Sequence, residues 1–283
     1  MFEILHKQVL AHSIKRWEIL APEVAAKAQP GQFVIIRINE QGERIPLTIA
    51  DYNRDRGSLT LIFQEVGRST IEMGRLRAGD KILDLVGPLG QPSKIANYGR
   101  VVCIGGGVGI APIYPITRAL KQAGNEIISI IGARSADHLI LQREMAEVSD
   151  QLYITSDDGS AGQKGFVTDV LQQLLEQGTA IDHIVAIGPL VMMKAVSELS
   201  RPYRIKTTVS LNPIMVDGTG MCGACRVAIG SETKFACVDG PDFDGHLVDW
   251  EVAQIRSRMF REEEEIAMQH ITRGGDCQCH RKE

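Results

Sequence analysis

Val101-Val102-Cys103-Ile104-Gly105-Gly106-Gly107-Val108-Gly109-Ile110-Ala111-Pro112 changes character twice within one short stretch. Four apolar, mostly β-branched residues run into a glycine-rich turn, and an apolar run with a proline follows. This is the pattern of a buried strand, a tight turn and a helix start. Pro112 suits a first helical turn, where its missing N–H costs no intrahelical bond. Glycines let the backbone approach a ligand closely, and a helix start presents free N–H groups with a partial positive charge. That combination is what a pyrophosphate requires. The alternative is a plain strand–helix turn with no ligand. The dinucleotide fingerprint is met in part, because Gly107-x-Gly109 leads to Pro112 rather than to a third Gly or Ala. The end of the next strand holds Gly132-Ala133-Arg134-Ser135, with no carboxylate for a ribose, so NAD and NADP both stay open.

Outward from this loop, strand-like runs at 101–104, 127–132, 152–155 and 184–187 alternate with helical runs at 113–123, 139–148, 167–177 and 191–200. Such alternation predicts a parallel sheet covered by helices over residues 98–210. Residues 1–97 read differently. Phe33–Ile38 after Pro30-Gly31, and Ser58–Phe63 after Asp55-Arg56-Gly57, are short strands punctuated by turns. They predict an antiparallel β-barrel, with one helix at 69–76. Residues 211–283 form a third segment: a cysteine-bearing loop, then Asp239–Asp249, then one charged helix over about 252–270.

The loop reads Asp217-x4-Cys222-x2-Cys225, with Cys237 eleven residues further on. The plant-type [2Fe–2S] spacing is Cys-x4-Cys-x2-Cys with a distant fourth cysteine. Here an aspartate stands in the first position. Gly218, Gly220, Gly223 and Ala224 leave backbone N–H groups free to point at bridging sulfides. Three thiolates and a carboxylate also suit structural zinc, and Cys222 with Cys225 suits a redox pair. Asp217 is either a ligand or an ordinary loop residue. Cys103, alone in a strand, reads as inert core. The tail Asp276-Cys277-Gln278-Cys279-His280 follows Gly274-Gly275 and reads as frayed.

Bulk properties exclude several classes. A net charge of -4 over 283 residues shows no basic face for nucleic acid. The most apolar stretch, 101–116, is too short and too rich in glycine and proline to span a bilayer. The first residues lack a signal-peptide core, so a cytoplasmic protein is expected. In a reducing compartment clustered cysteines are metal ligands before they are disulfides.

Two more motifs lie in the barrel segment. Arg44-Ile45-Pro46-Leu47-Thr48 sets a cation, a rigid proline and a hydroxyl along one turn and strand. Val66-Gly67-Arg68-Ser69-Thr70 opens the short helix with a glycine and two hydroxyls. A second pyrophosphate suits an arginine beside a hydroxyl-capped helix start. Singly, Arg44 reads as a turn residue and Ser69 as an N-cap.

Together, Arg-x-Pro-x-Thr, Gly-x-Ser-Thr and Gly-x-Gly-x-x-Pro resemble the ferredoxin–NADP reductase superfamily, in which an FAD-binding barrel precedes a NAD(P)-binding α/β domain. Thr155-Ser156-Asp157-Asp158-Gly159 and Gly188-Pro189-x-x-Met192 extend the resemblance to the nicotinamide side. The terminal cysteines narrow it to electron-transfer subunits that work beside a second flavoprotein. One branch serves dihydroorotate dehydrogenase and uses four cysteines. The other comprises small subunits of NADH-dependent reduced ferredoxin:NADP oxidoreductases, and Asp217 with Gly240–Asp249 resembles this second branch.

The resemblance implies a role for each motif. Arg44, Pro46, Leu47, Gly67, Arg68, Ser69 and Thr70 would hold FAD, with Thr48 near flavin N5 as the catalytic side chain. Gly105, Gly106, Gly107, Val108, Gly109, Ile110, Ala111 and Pro112 would hold the NAD(H) pyrophosphate, with Asp157, Asp158, Gly188, Pro189 and Met192 nearby. Asp217, Cys222, Cys225 and Cys237 would hold a [2Fe–2S] cluster. Many relatives have a cysteine where this chain has Ile187, which removes a thiol from the hydride path. The implied partner is a larger flavin and iron–sulfur subunit forming a heterodimer, reached by ferredoxin only through the complex, and any flavin that bifurcates electrons would lie in that partner. A zinc-stabilised nucleotide-binding regulator is the reading from a different class.

Overall fold

The computed structural model describes residues 1–272, with side chains to residue 269. The tail residues Cys277, Cys279 and His280 lie outside the described residues.

The first sheet has seven antiparallel strands: β1 (Phe2–Ala11), β2 (Ile14–Leu20), β3 (Phe33–Arg37), β4 (Ile45–Asn53), β5 (Ser58–Gln64), β6 (Lys81–Ile82) and β7 (Asp84–Leu89). Their order is β6-β1-β2-β5-β4-β3-β7. The two edge strands are separated in sequence by Leu83 alone, whose N–H bonds the carbonyl oxygens of Arg37 and Ile38. The sheet therefore curls into a nearly closed barrel, as the turn-punctuated strands predicted. Trp17 and Phe63 meet edge to face inside it, ring centroids 4.8 Å apart, among Ile4, Ile19, Leu59 and Leu61. Two short helices accompany the barrel, α1 (Pro22–Lys27) and α2 (Arg68–Arg75). The sequence predicted only the second. Pro22 starts α1, but six residues are too few for an apolar period to show.

The second sheet has five long parallel strands: β8 (Arg100–Gly106), β9 (Glu126–Ala133), β10 (Gln151–Ser156), β12 (His183–Ile187) and β13 (Lys206–Ser210). The two-residue β11 (Gln163–Lys164) extends one edge in parallel, and β16 (Asp242–Asp244) joins the other edge antiparallel to β13. Helices α3 (Ile110–Gln122), α4 (Gln142–Glu147), α5 (Val167–Glu176) and α6 (Leu190–Ser200) cover its two faces. Val102 and Ile104 of β8 face one core while Val101 and Cys103 face the other. This two-sided burial makes the strand an unbroken apolar run rather than an alternating one. The helix predicted from 139 starts later, at Gln142, because a 3₁₀ turn at Ala136–His138 takes up the preceding residues.

The cysteine-bearing segment is not a detached bead. Its hairpin, β14 (Arg226–Ile229) with β15 (Glu232–Phe235), is small, and Cys225, Cys237, Val248 and Trp250 share one core with the parallel sheet and with Phe33 and Ile35 of the barrel. The single helix predicted over about 252–270 is two, α7 (Trp250–Arg256) and α8 (Arg261–Thr272). Between them Arg258 and Met259 donate to carbonyls three residues back, a tighter turn than the α-helix. The turn sends α8 back against α2.

Candidate electron-transfer site

The parallel strand order runs outward in both directions from the β8–β12 pair, which makes this pair the topological switch point of the sheet. Open α/β sheets bind ligands in the crevice outside the carboxyl ends of such strands. Gly105–Pro112 lies there. β8 ends at Gly106, Gly107–Gly109 make one 3₁₀ turn, and α3 begins at Ile110. A side chain on Gly109 would strike the backbone of Ile187 and Gly188, so glycine is required by close approach. Gly107, by contrast, faces open space where a Cβ would stand. The loop therefore presses on one strand end and opens toward the crevice, the cradle a pyrophosphate needs.

Across the crevice, Pro189 precedes α6 and accepts from the N–H of Met192 at 2.9 Å. The Met192 thioether fills the space in front of Gly106 and Gly188, so a Cβ on either would meet it. Asp157 and Asp158 follow β10, and their N–H groups bond the carbonyls of Ala133 and Arg134 at the end of β9. The Ser160 hydroxyl and N–H hold the Asp158 carboxylate below its ordinary range. Ile187 is buried at the end of β12.

On the barrel, Pro46, Leu47 and Thr48 lie in β4 paired with Ile35, Val34 and Phe33 of β3. Ile45 to Thr48 are all half-buried, without the in–out alternation of a strand covered on one side. An apolar strand face left partly uncovered fits a flat ring system such as a flavin. At the start of α2, the Thr70 hydroxyl accepts from the N–H groups of Gly67 and Val66, each at 3.0 Å. Ser69 donates to Glu43, and Arg68 pairs with Glu72 at 2.9 Å.

Arg44 connects this region to the cysteine loop: its Nε donates to the Val216 carbonyl at 2.7 Å. One residue beyond Asp217, Gly218 sits at φ +77°, and a Cβ there would collide with Ile35 of β3 and Leu89 of β7. The loop thus rests on the barrel strands.

Within the loop, Cys225 and Cys237 are buried with their sulfurs 3.2 Å apart, and Cys222 is exposed. Burial, and then the neighbouring Cys225 thiol, push Cys237 up to about 12. Two buried sulfurs this close together, with Cys222 on the same loop, are a donor set that suits a metal. Asp217 turns inward on its own loop, its oxygens accepting from the N–H of Thr219 at 2.9 Å and of Cys222 at 3.0 Å. Those donors hold it ionised, below the ordinary carboxylate range. Among the described residues no three such side chains converge on one point.

Three contributors escaped the sequence. Arg118 of α3 grips Asp51 of β4 through both nitrogens, at 2.6 and 3.2 Å, and lies over the Tyr114 ring. Arg256 of α7 donates to the carbonyl of Ala224, inside the cysteine loop. Glu43 occupies Ser69. Each pairs residues far apart in the chain or unmarked by any motif, so no local pattern announces them.

Comparison with known proteins agrees with this geometry. Residues 103–198 match the oxidoreductase NAD-binding domain, and residues 212–249 match the iron–sulfur cluster binding domain of dihydroorotate dehydrogenase B. The latter match decides for iron and sulfur over zinc. The chain is 49% identical over 269 residues to a Thermotoga maritima protein named as a homolog of the dihydroorotate dehydrogenase B (NAD(+)) electron transfer subunit, with 95% of each chain covered. It is 32% identical to the corresponding electron transfer subunit of Geobacillus thermodenitrificans, over 85% of this chain and 94% of that one. A solved structure of NADH-dependent reduced ferredoxin–NADP oxidoreductase, described as giving insight into flavin-based electron bifurcation, superimposes with a TM-score of 0.91 at 48% identity, covering 96% of this chain and 98% of that one. The cofactors of the present chain are FAD, an iron–sulfur centre and NAD(H). The chain belongs to the dihydroorotate dehydrogenase B-like electron-transfer subunits, NAD(H)-dependent flavin and iron–sulfur oxidoreductases of the ferredoxin–NADP reductase type.

Proposed function

We propose that this subunit exchanges hydride with NAD(H) and passes electrons one at a time through a [2Fe–2S] centre to a larger flavin and iron–sulfur subunit, in a heterodimeric cytoplasmic complex that couples NAD(H), NADP(H) and ferredoxin. The observation that supports it best is the seat of the cysteine loop on the barrel: Arg44 bonded to Val216, and Gly218 packed on Ile35 and Leu89. The loop with the metal donors and the strand with the flavin motif share one contact surface.

When bound, nicotinamide supplies a hydride, flavin converts an electron pair into single electrons, and the cluster takes them singly. The remaining work belongs to the protein. Gly105–Pro112 gives backbone N–H groups and a helix start to the pyrophosphate of NAD(H), while Asp157, Asp158, Gly188, Pro189 and Met192 border the nicotinamide side. Gly67–Thr70 and Arg44 hold the FAD phosphates, Pro46 and Leu47 carry the ring, and Thr48 offers its hydroxyl at the flavin's reacting edge. Arg44 uses one of its five N–H donors on Val216 and keeps the others for phosphate. Cys222, Cys225, Cys237 and Asp217 are the cluster ligands, Asp217 by leaving its two backbone donors. The boundaries we adopt are 1–97 for the FAD barrel, 98–210 for the NAD(H) domain and 211–283 for the cluster module. The flavin that splits electrons, where the complex bifurcates, lies in the partner.

A second reading is favoured by the names of the relatives: an electron-transfer subunit of dihydroorotate dehydrogenase. Anaerobic purification of the tagged chain with its partner separates the two. A partner with its own FAD and clusters, and ferredoxin-linked NADP reduction, supports the first reading. A partner that oxidises dihydroorotate overturns it.

A further inference from the structure

Arg226 and Arg256 both reach the cysteine loop, and among the described residues neither forms an ion pair with a carboxylate. Arg256 reaches from α7 to donate to the Ala224 carbonyl at 2.8 Å, and Arg226 donates to the Gly223 carbonyl at 3.2 Å. Both carbonyls belong to the two residues between Cys222 and Cys225. The Arg256 Nε is buried and has no hydrogen-bond partner. A half-buried guanidinium with an unpartnered Nε, near a second cation and without a carboxylate, is unfavourable unless an anion balances it.

The anion is at hand once the cysteine loop is loaded. Thiolates and sulfides give an iron–sulfur centre a net negative charge, and its reduction adds one more. Nearby positive charge favours the more negative state and raises the reduction potential, one of the levers by which proteins tune such clusters. We infer that the Arg256 guanidinium, seconded by Arg226, is a positioning and potential-setting group for the cluster: it anchors the Cys222–Cys225 loop and holds the centre easier to reduce than its ligands alone would. The inference rests on the cluster-binding reading above. It gives α7 a role beyond packing, since this helix delivers the cation from 31 residues beyond Cys225.

The test is a redox titration of the full chain, reconstituted anaerobically and followed by EPR, for the wild type, Arg256→Gln, Arg256→Lys and Arg226→Gln. Gln can still donate to the Ala224 carbonyl but has no charge, and Lys keeps the charge. At the wild-type midpoint, Arg256→Gln should show about a tenfold lower reduced-to-oxidised ratio, a fall of 59 mV for one electron. Arg256→Lys should recover most of that loss. Arg226→Gln should move in the same direction by less, because Arg226 is exposed and screened. If Arg256→Gln fails to assemble a cluster, the other two variants decide: a shift in Arg226→Gln with a near-native Arg256→Lys supports the inference, and any other result overturns it. Unmoved midpoints with intact clusters overturn the inference alone, whereas a wild type without acid-labile sulfide overturns the cluster reading with it.

Discussion

The nucleotide loop and the cysteine loop are built on opposite principles. Gly105–Pro112 is set in place by regular structure, with a five-stranded parallel sheet behind it, a thirteen-residue helix ahead, and Gly109 wedged against β12. The stretch 213–225 has no strand or helix. Its order comes from Asp217 capping two of its N–H groups, from Gly218 on the barrel and from two arginines on its carbonyls. A site that binds a soluble, exchangeable dinucleotide profits from being formed in advance. A loop that wraps a metal can leave part of its folding energy to the metal.

The largest test of this contrast is Cys237→Ser. Iron and acid-labile sulfide should vanish, while NAD(H) binding and the flavin spectrum persist, because the sheet stands without the cluster. Loss of NAD(H) binding in that variant would sink the idea of independent construction.

Acid probes the sheet half. His183 is buried at the start of β12, stacked on Tyr98 at 4.5 Å, and burial lowers it from 6.5 to about 4. A depressed histidine binds its proton more readily in the unfolded chain. The stability that neutral His183 gives is therefore complete above pH 6.5 and lost as the pH falls from 6.5 toward 4. The full loss is on the order of 3 kcal/mol. Urea unfolding at pH 7 and pH 4.5 should show most of it in the wild type and a flatter profile in His183→Gln.

A smaller effect is expected from Gly109→Ala. The added methyl meets the backbone of Ile187 and Gly188, which cannot yield, at a cost of roughly 1–3 kcal/mol. NAD(H) affinity should fall about tenfold, a loss worth ~1.4 kcal/mol, with cluster content unchanged. Titration of the purified variant measures it.

The smallest change should follow Asp51→Asn. The Arg118–Asp51 pair joins the strand that bears Thr48 to the helix that starts at the nucleotide loop. Both partners are nearly one-third exposed, so the pair is worth no more than about 1 kcal/mol of stability. The pre-steady-state rate of flavin reduction by NADH is the sensitive readout, and it should slow more than NAD(H) affinity weakens.

Much of this was legible in the chain. The switch from turn-punctuated strands to strand–helix alternation marked the barrel and the parallel sheet, since both periods are local. The phosphate loop was legible because glycine spacing and a helix start adjoin each other. Other features were not. The strands β13 and β16 are short and join the sheet by partners up to 36 residues apart, such as Thr208 with Asp244. Helix α1 was too brief for a period, and the break between α7 and α8 follows from a turn that no glycine or proline announces.

Local composition and spacing determined the kinds of site this protein has: a dinucleotide loop, a flavin-type strand and helix, and a cysteine set suited to iron and sulfur. Only the tertiary structure decided how they meet: Arg44 on Val216, Gly218 on the barrel, Gly109 on β12, and Arg118 and Arg256 reaching across to other elements. The reason is physical. A strand, a turn or a ligand spacing is written in residues a few positions apart, whereas a contact between elements depends on which faces the chain buries together, and that choice belongs to the packed whole.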